Sequence, residues 1–138
     1  LQNQILKDFF GTWVDEVETR ETIGDVYNNY GYVMDPHTAV AYKAMEKYRL
    51  MTGDETYSIV LSTASPFKFN DVVLASIDPD TYEGKKLDPF VAMEDLSKVA
   101  KMPIPASMQE LPHLQKRQSD VVDKTQMEGE VKKLLGLE

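Results

Sequence analysis

The chain has 138 residues, which is enough for one domain with a buried core. Apolar residues make up 42% of the chain and charged residues 28%, as is usual for a globular protein. The net charge of −8 argues against nucleic-acid binding, because an acidic surface repels phosphates. No apolar run approaches the roughly 18 residues needed to cross a bilayer, so we expect no membrane partner.

Cysteine is absent, and His37 and His113 are the two histidines. This composition excludes disulfides and thiolate zinc sites, and we expect no metal site. The absence of disulfides permits a reducing compartment, and we expect a cytoplasmic protein. The N-terminal residues contain no basic stretch followed by an apolar block, so we expect no secretory signal within these residues.

The spacing of apolar residues predicts two helices in the first thirty residues. Residues 5–10 place Ile, Leu and two Phe side chains on one helical face, and Gly11 ends that helix. Thr19 is a candidate N-cap for a second helix, which ends at Gly31.

Two Asp-Pro pairs predict the starts of two further helices. An aspartate is a favoured N-cap, and a proline at the first helical position loses no hydrogen bond. The pair Asp35-Pro36 predicts a helix that ends at Gly53, and Asp88-Pro89 predicts a helix that runs to about Lys101. Apolar residues predicted to face inward on this last helix are Val91, Leu96 and Val99.

The remaining predicted helices are shorter. One begins near Asn70, a helical turn covers about residues 106–111, and a final helix covers about 126–135 after a link at 120–123. Together with the longer helices, they predict a helix-rich chain.

Residues 57–61 are the clearest predicted strand, because Tyr, Ile, Val and Leu form a nearly continuous apolar run. Such a strand needs partners for its backbone groups on both sides. The chain offers two other short candidates, residues 32–34 and 120–122. We therefore predict a helix-rich α/β chain with few strands of its own, whose strand either pairs with these segments or has partners on chain outside these 138 residues.

Ser62 and Thr63 follow this predicted strand, and a helix begins soon after them. In α/β proteins ligands bind at the carboxyl ends of strands, where turn hydroxyls offer hydrogen bonds. A hydroxyl suits a neutral acceptor such as a pyridine nitrogen. The spacing alone also fits serine and threonine that only cap the helix, which is their commoner role.

Three other residues are candidates for a substrate site or for structure. His37 lies in the first turn of its helix, where the positive helix end lowers its basicity. Lys68 could reach an anionic group, although a lysine lying over aromatic rings at the surface is commoner. Asp35 is most simply a helix cap. No residue pattern here forms a complete active site.

Two motifs together resemble the threonine synthases of the longer, bacterial and fungal type. They are residues 35–41 (DPHTAVA) and residues 61–69 (LSTASPFKF), about twenty residues apart. Gly31-Tyr32-Val33 and the Ile104-Pro105 tail fit as well. Ser65 departs from the pattern, because many relatives have histidine there.

The resemblance implies a pyridoxal-phosphate enzyme of the tryptophan-synthase-β-like fold (fold type II). Such a lyase converts O-phosphohomoserine and water to threonine and phosphate in threonine biosynthesis. It implies that Thr63, or else Ser62, faces the pyridine nitrogen of the cofactor. The lysine that binds the cofactor and the loop that holds its phosphate have no candidate here, so the chain holds no catalytic residue of its own.

The resemblance therefore implies the C-terminal portion of the catalytic domain, with the N-terminal remainder of the same protein as its partner. Residues 1–85 would form a wall of the cofactor site, and residues 86–138 a C-terminal helical extension. Alone, such a chain would be inactive. The alternatives are a threonine-synthase-like binding or interaction module without catalysis, and an acidic α/β domain of another kind.

Overall fold

The computed structural model describes residues 2–117 and 119–137. Within these residues the chain forms helices and no β-strand. Its α-helices are α1 (Gln2–Ile5), α2 (Glu16–Tyr30), α3 (Pro36–Thr52), α4 (Asn70–Ile77), α5 (Pro79–Tyr82), α6 (Pro89–Ala100), α7 (Ala106–Gln109) and α8 (Met127–Leu134). Two 3₁₀ helices cover Pro66–Phe69 and Leu111–His113. None of the described helices is both long and apolar enough to cross a membrane.

The chain divides into two compact units, Leu1–Ala106 and Ser107–Glu138. In the first unit, α2 packs against α3 and α4, and α4 packs against α6. Burial of apolar surface between these helices stabilises the unit. Its buried apolar residues are Ile23, Val26, Val33, Met34, Ala39, Phe67, Val73, Leu74, Ile77, Ala92, Met93 and Leu96.

The start of α2 differs from the prediction. Asp15, not Thr19, is the N-cap: its carboxylate accepts a hydrogen bond from the Glu18 N–H at 2.8 Å, and its own N–H donates to the Glu18 side chain at 3.2 Å. This reciprocal pair fixes the first turn. Thr19 lies inside the helix, where its buried hydroxyl donates to the Asp15 carbonyl at 2.6 Å. The predicted end at Gly31 is confirmed, with φ of 66°.

The first helix is much shorter than predicted. It ends at Ile5, and residues 9–15 have no regular secondary structure. The apolar side chains of residues 5–10 are largely exposed, so they lack the packing that would stabilise a longer amphipathic helix. Lys47 of α3 fixes the irregular segment 9–15. Its ammonium donates a hydrogen bond to the Trp13 carbonyl at 2.9 Å and forms an ion pair with Glu18 of α2 at 2.8 Å.

Both Asp-Pro helix starts are confirmed. Asp35 caps α3 and Asp88 caps α6, each through its carboxylate, and Gly53 ends α3 with φ of 70°. The prediction of which α6 residues face inward is only partly correct. Leu96 is fully buried, but Val91 is 48% exposed. Residues three and four before Leu96 share its face, and these are Met93 and Ala92, whereas Val91 is five residues away.

The predicted strand at residues 57–61 is wrong for this structure. These residues form no sheet ladder and no backbone–backbone hydrogen bond within the described chain. Tyr57 is fully exposed and Ile59 is 90% exposed, so the run is not buried on two faces. Residues 32–34 and 120–122 are not strands either. An isolated apolar run cannot satisfy its backbone as a strand when no neighbour is available.

The predicted helical turn is observed at Ala106–Gln109, and the predicted last helix, in the second unit, is observed at Met127–Leu134. The link at residues 120–123 has no regular structure. On α8, Lys132 pairs with Glu128 at 2.6 Å, one helical turn away. The predicted division of roles at residues 85 and 86 stays a prediction.

Candidate functional site

The candidate site is built around the carboxylate of Asp35 at the start of α3. This carboxylate is fully buried, with 0% exposure. It accepts hydrogen bonds from the backbone N–H of His37 at 2.9 Å and of Thr38 at 3.3 Å. It also accepts a hydrogen bond from the Thr38 hydroxyl. Asp35 is therefore a helix cap with three donors directed at one buried group, as the sequence predicts.

The hydrogen bonds keep the Asp35 carboxylate ionised. Burial alone would raise the pKa of Asp35, because desolvation disfavours the charged form. The Thr38 hydroxyl and the N–H groups of Thr38 and His37 more than offset this effect, and the pKa of Asp35 lies below its ordinary value. The start of α3 thus carries a negative charge that is buried and well hydrogen-bonded.

Thr38 connects this cap to the predicted ligand-binding turn. Its Oγ1 lies 3.3 Å from the Oγ of Ser62, twenty-four residues along the chain. Thr38 is 4% exposed, so the contact lies at the edge of the core. Thr38 is not among the site residues predicted from the sequence. The signal was present, because a threonine three residues after an N-cap aspartate lies beside the capping carboxylate.

Ser62 and Thr63 face different grooves. Thr63 lines a groove of about 620 Å³, which we call the Thr63 groove, together with His37, Tyr48 and several apolar side chains. Ser62 lines a second groove of about 470 Å³, which we call the Ser62 groove, together with Thr38. The two grooves share Met45, Ser58 and Val60 in their linings, so they adjoin each other along this segment.

His37 lies in the first turn of α3, and its side chain faces the 3₁₀ helix that follows the two hydroxyls. Its imidazole ring is 5.0 Å from the ring of Phe69, and its Nδ1 lies 3.3 Å from an oxygen of Asp35. Its side chain is 62% exposed, which leaves the ring accessible from the Thr63 groove. The structure thus brings His37 and Thr63 to one groove.

Lys68 does not join this group. It lies in the 3₁₀ helix Pro66–Phe69, is exposed, and lines neither the Thr63 groove nor the Ser62 groove. Ser65 caps that 3₁₀ helix by accepting a hydrogen bond from the Phe67 N–H at 3.3 Å. The turn after Thr63 therefore directs the lysine away from the candidate site.

The Thr63 groove suits a mostly apolar ligand with a neutral hydrogen-bond acceptor. Its lining contains no lysine or arginine; Asp8 and His37 are the only acidic or imidazole groups among the described residues that line it. The Thr63 hydroxyl makes no hydrogen bond with another described residue, so it is available as a donor. No group of three or more histidine or acidic side chains in the described chain is placed to hold a metal ion.

Comparison with known proteins identifies the family. Residues 38–134 match the family profile described as "Threonine synthase, C-terminal". The chain belongs to this family. The matched range contains Ser62, Thr63 and Lys68, whereas Asp35 and His37 precede it. The resemblance drawn from the two motifs is confirmed.

The chain is also similar in sequence to individual proteins that are named threonine synthase or threonine synthase-like. The chain is 42% identical to threonine synthase of Saccharomyces cerevisiae over 72 residues, which cover 49% of this chain and 14% of the yeast protein. It is 37% identical over 60 residues to threonine synthase of Pseudomonas aeruginosa, covering 44% of this chain and 12% of that protein. It is 30% identical over 78 residues to human "Threonine synthase-like 1", covering 56% and 10%. The chain spans less than a sixth of each relative.

Proposed function

We propose that this chain is the C-terminal part of a threonine synthase and contributes one wall of its pyridoxal-phosphate site. The parent enzyme would be a cytoplasmic lyase that converts O-phosphohomoserine and water to threonine and phosphate. Membership of the threonine synthase C-terminal family over residues 38–134 carries this proposal. The tryptophan-synthase-β-like fold of the parent belongs to the same proposal.

The residues of the Thr63 groove fit the ring of pyridoxal phosphate. The ring is flat and its nitrogen is an acceptor, and the groove offers apolar side chains beside one unengaged hydroxyl. When bound, the cofactor supplies an electron sink for carbanion chemistry. Thr63 would donate a hydrogen bond to the ring nitrogen and leave that nitrogen unprotonated, because a hydroxyl is too weak an acid to transfer its proton.

The same groove does not fit the phosphate group. Phosphate binding needs cations or several N–H donors, and the described lining contains neither lysine nor arginine. We propose that another part of threonine synthase supplies the phosphate site and the lysine that binds the cofactor. The exposed side chains of Tyr57, Ile59 and Leu61 support this partner, because an apolar segment that has no strand neighbour in this chain can pair with a strand of another part of the protein.

The second candidate function is that of a threonine-synthase-like module that binds without catalysis. The similarity to human "Threonine synthase-like 1" over 56% of this chain supports this second candidate. The two functions differ in whether the complete protein forms threonine from O-phosphohomoserine.

The test measures threonine and phosphate formation by the full-length protein that contains this chain. Thr63→Val keeps the shape of the side chain and removes the donor, so we expect kcat to fall at least about tenfold, as loss of a hydrogen bond of about 1.4 kcal/mol would cause. Thr12→Val is the matched control, because Thr12 is exposed and lines neither the Thr63 groove nor the Ser62 groove. Both variants should unfold at the wild-type temperature.

The outcomes separate the candidates. Unchanged turnover in Thr63→Val would remove this residue from the site. If the full-length protein forms no threonine, the proposed threonine synthase function is wrong, and the non-catalytic binding module is the remaining candidate. The 138-residue chain alone is expected to form no threonine and to show no visible absorbance from covalently bound cofactor, since its own residues offer no cofactor lysine in the groove.

A further inference from the structure

We propose that Thr38 is a positioning residue: held by buried Asp35, it binds Ser62 and thereby leaves Thr63 as the hydroxyl that faces the cofactor ring. This inference rests on the proposed function and names the device that selects between two adjacent hydroxyls. The two hydroxyls are adjacent in the sequence, and the resemblance favours Thr63 over Ser62. The structure distinguishes them by what each one touches.

The first step is that Thr38 is itself fixed. Its hydroxyl donates to the Asp35 carboxylate, and its backbone N–H donates to the other oxygen of the same carboxylate at 3.3 Å. Both residues are buried, and the first turn of α3 holds them on a rigid element. A buried side chain held by a charged acceptor has little freedom to turn.

The second step concerns the direction of the hydrogen bond between Thr38 and Ser62. A hydroxyl has one hydrogen and two lone pairs, and an ionised carboxylate can only accept. The hydrogen of Thr38 is directed to Asp35, so the hydrogen between Thr38 Oγ1 and Ser62 Oγ, which lie 3.3 Å apart, comes from Ser62. Ser62 therefore uses its single hydrogen on α3 and cannot donate it to a ligand.

The third step concerns the position of Thr63. Ser62 lines the Ser62 groove beside Thr38, and Thr63 lines the Thr63 groove beside His37, although the two grooves share part of their lining. With Ser62 held against Thr38, the neighbouring Thr63 is the hydroxyl that lies in the Thr63 groove. Thr63 has no hydrogen-bond partner among the described residues, so its hydrogen is free for a ring nitrogen.

The experiment measures binding of two probes to the cofactor-free full-length protein. The probes are pyridoxal phosphate and its analogue in which carbon replaces the ring nitrogen. The ratio of their Kd values isolates the contact with the nitrogen, because all other contacts are shared. A merely structural defect weakens both probes and leaves the ratio unchanged.

Four variants locate the contact. Thr63→Val should lower the preference for the nitrogen-containing probe by roughly three- to tenfold, the range expected for one hydrogen bond. Ser62→Ala and Thr38→Val should lower it similarly, and Thr38→Ser should restore the wild-type ratio because it keeps the hydroxyl. Ser62→Ala leaves the pair of Thr38 and Asp35 intact, so it tests the inference even if Thr38→Val fails to fold.

A wild-type ratio in Ser62→Ala would overturn the inference, and so would a wild-type ratio in Thr63→Val, since Ser62 would then be the direct contact. A wild-type protein that binds both probes equally would also overturn it. In that case the threonine assay still shows whether the proposed function holds. A wild-type protein that binds neither probe would instead overturn the proposed function, and the inference with it.

Discussion

Gly24 of α2 lies directly against the carbonyl oxygen of Ser76 in α4. A Cβ atom built on Gly24 would be 2.7 Å from that oxygen, closer than real Cβ contacts allow. Gly24 is buried, and this separation leaves no room for a side chain between the two backbones. The two helices therefore approach more closely than any larger residue at position 24 would permit.

Gly24→Ala is expected to destabilise the chain. Alanine favours a helix over glycine by about 1 kcal/mol, but overpacking against a backbone atom costs about 1–3 kcal/mol. The net loss should appear as a lower urea midpoint in denaturation followed by circular dichroism. Gly129→Ala in α8 is the control, because nothing lies within 4 Å of a Cβ there. A variant Gly24→Ala as stable as wild type would show that α2 and α4 can separate freely.

Tyr27→Phe is expected to loosen the end of α6. The Tyr27 hydroxyl donates to the Val99 carbonyl at 3.1 Å, and this carbonyl lies in the last turn of the helix, where no intrahelical donor is available. Loss of the bond should lower the free energy of unfolding by about 1 kcal/mol. Tyr57→Phe removes a hydroxyl from a fully exposed side chain and should change nothing. Equal stability of both variants would contradict a role for the Tyr27 hydroxyl.

The helix boundaries show which features of the sequence determine structure locally. Asp35-Pro36 and Asp88-Pro89 predicted α3 and α6 correctly, because an N-cap and a first-turn proline act within a few residues. The prediction of Thr19 as the N-cap of α2 was wrong, because Asp15 caps this helix and forms a reciprocal pair of hydrogen bonds with Glu18. The strand at 57–61 was wrong because a strand depends on distant partners, which the local sequence cannot supply.

The candidate site shows the same limit. The motif at residues 61–69 contains Ser62 and Thr63, and each of them lines a groove; their contact with a cofactor stays a prediction. The contact that distinguishes the two hydroxyls, between Thr38 and Ser62, spans twenty-four residues of the chain. Lys68 was a candidate by its position in the motif, yet a 3₁₀ helix places it away from the Thr63 groove. The spacing of residues along the chain does not specify which groove a side chain faces.

The stabilising contribution of the Asp35 carboxylate is expected to be lost in acid. Its pKa is lowered in the folded state, so its stabilising contribution is present above the unfolded value of about 3.9 and is lost as the pH falls through the folded value. Urea unfolding measured from pH 6 to pH 3 should therefore show a steeper loss for wild type than for Asp35→Asn. Asp80→Asn, which removes an exposed carboxylate, is the control. Parallel pH profiles for wild type and Asp35→Asn would contradict the lowered pKa.

The amide hydrogen exchange of residues 57–61 is expected to slow when the remainder of the proposed parent enzyme is present. In the 138-residue chain their amides make no backbone hydrogen bonds within the described residues, so they should exchange at nearly the rate of an unfolded peptide. In the full-length protein, pairing with a neighbouring strand should slow them by orders of magnitude. Amides in the middle of α3 should be protected in both proteins and provide the internal control. Fast exchange at 57–61 in the full-length protein would mean that the apolar run has no strand partner there, and that Thr63 is not held at the end of a sheet strand.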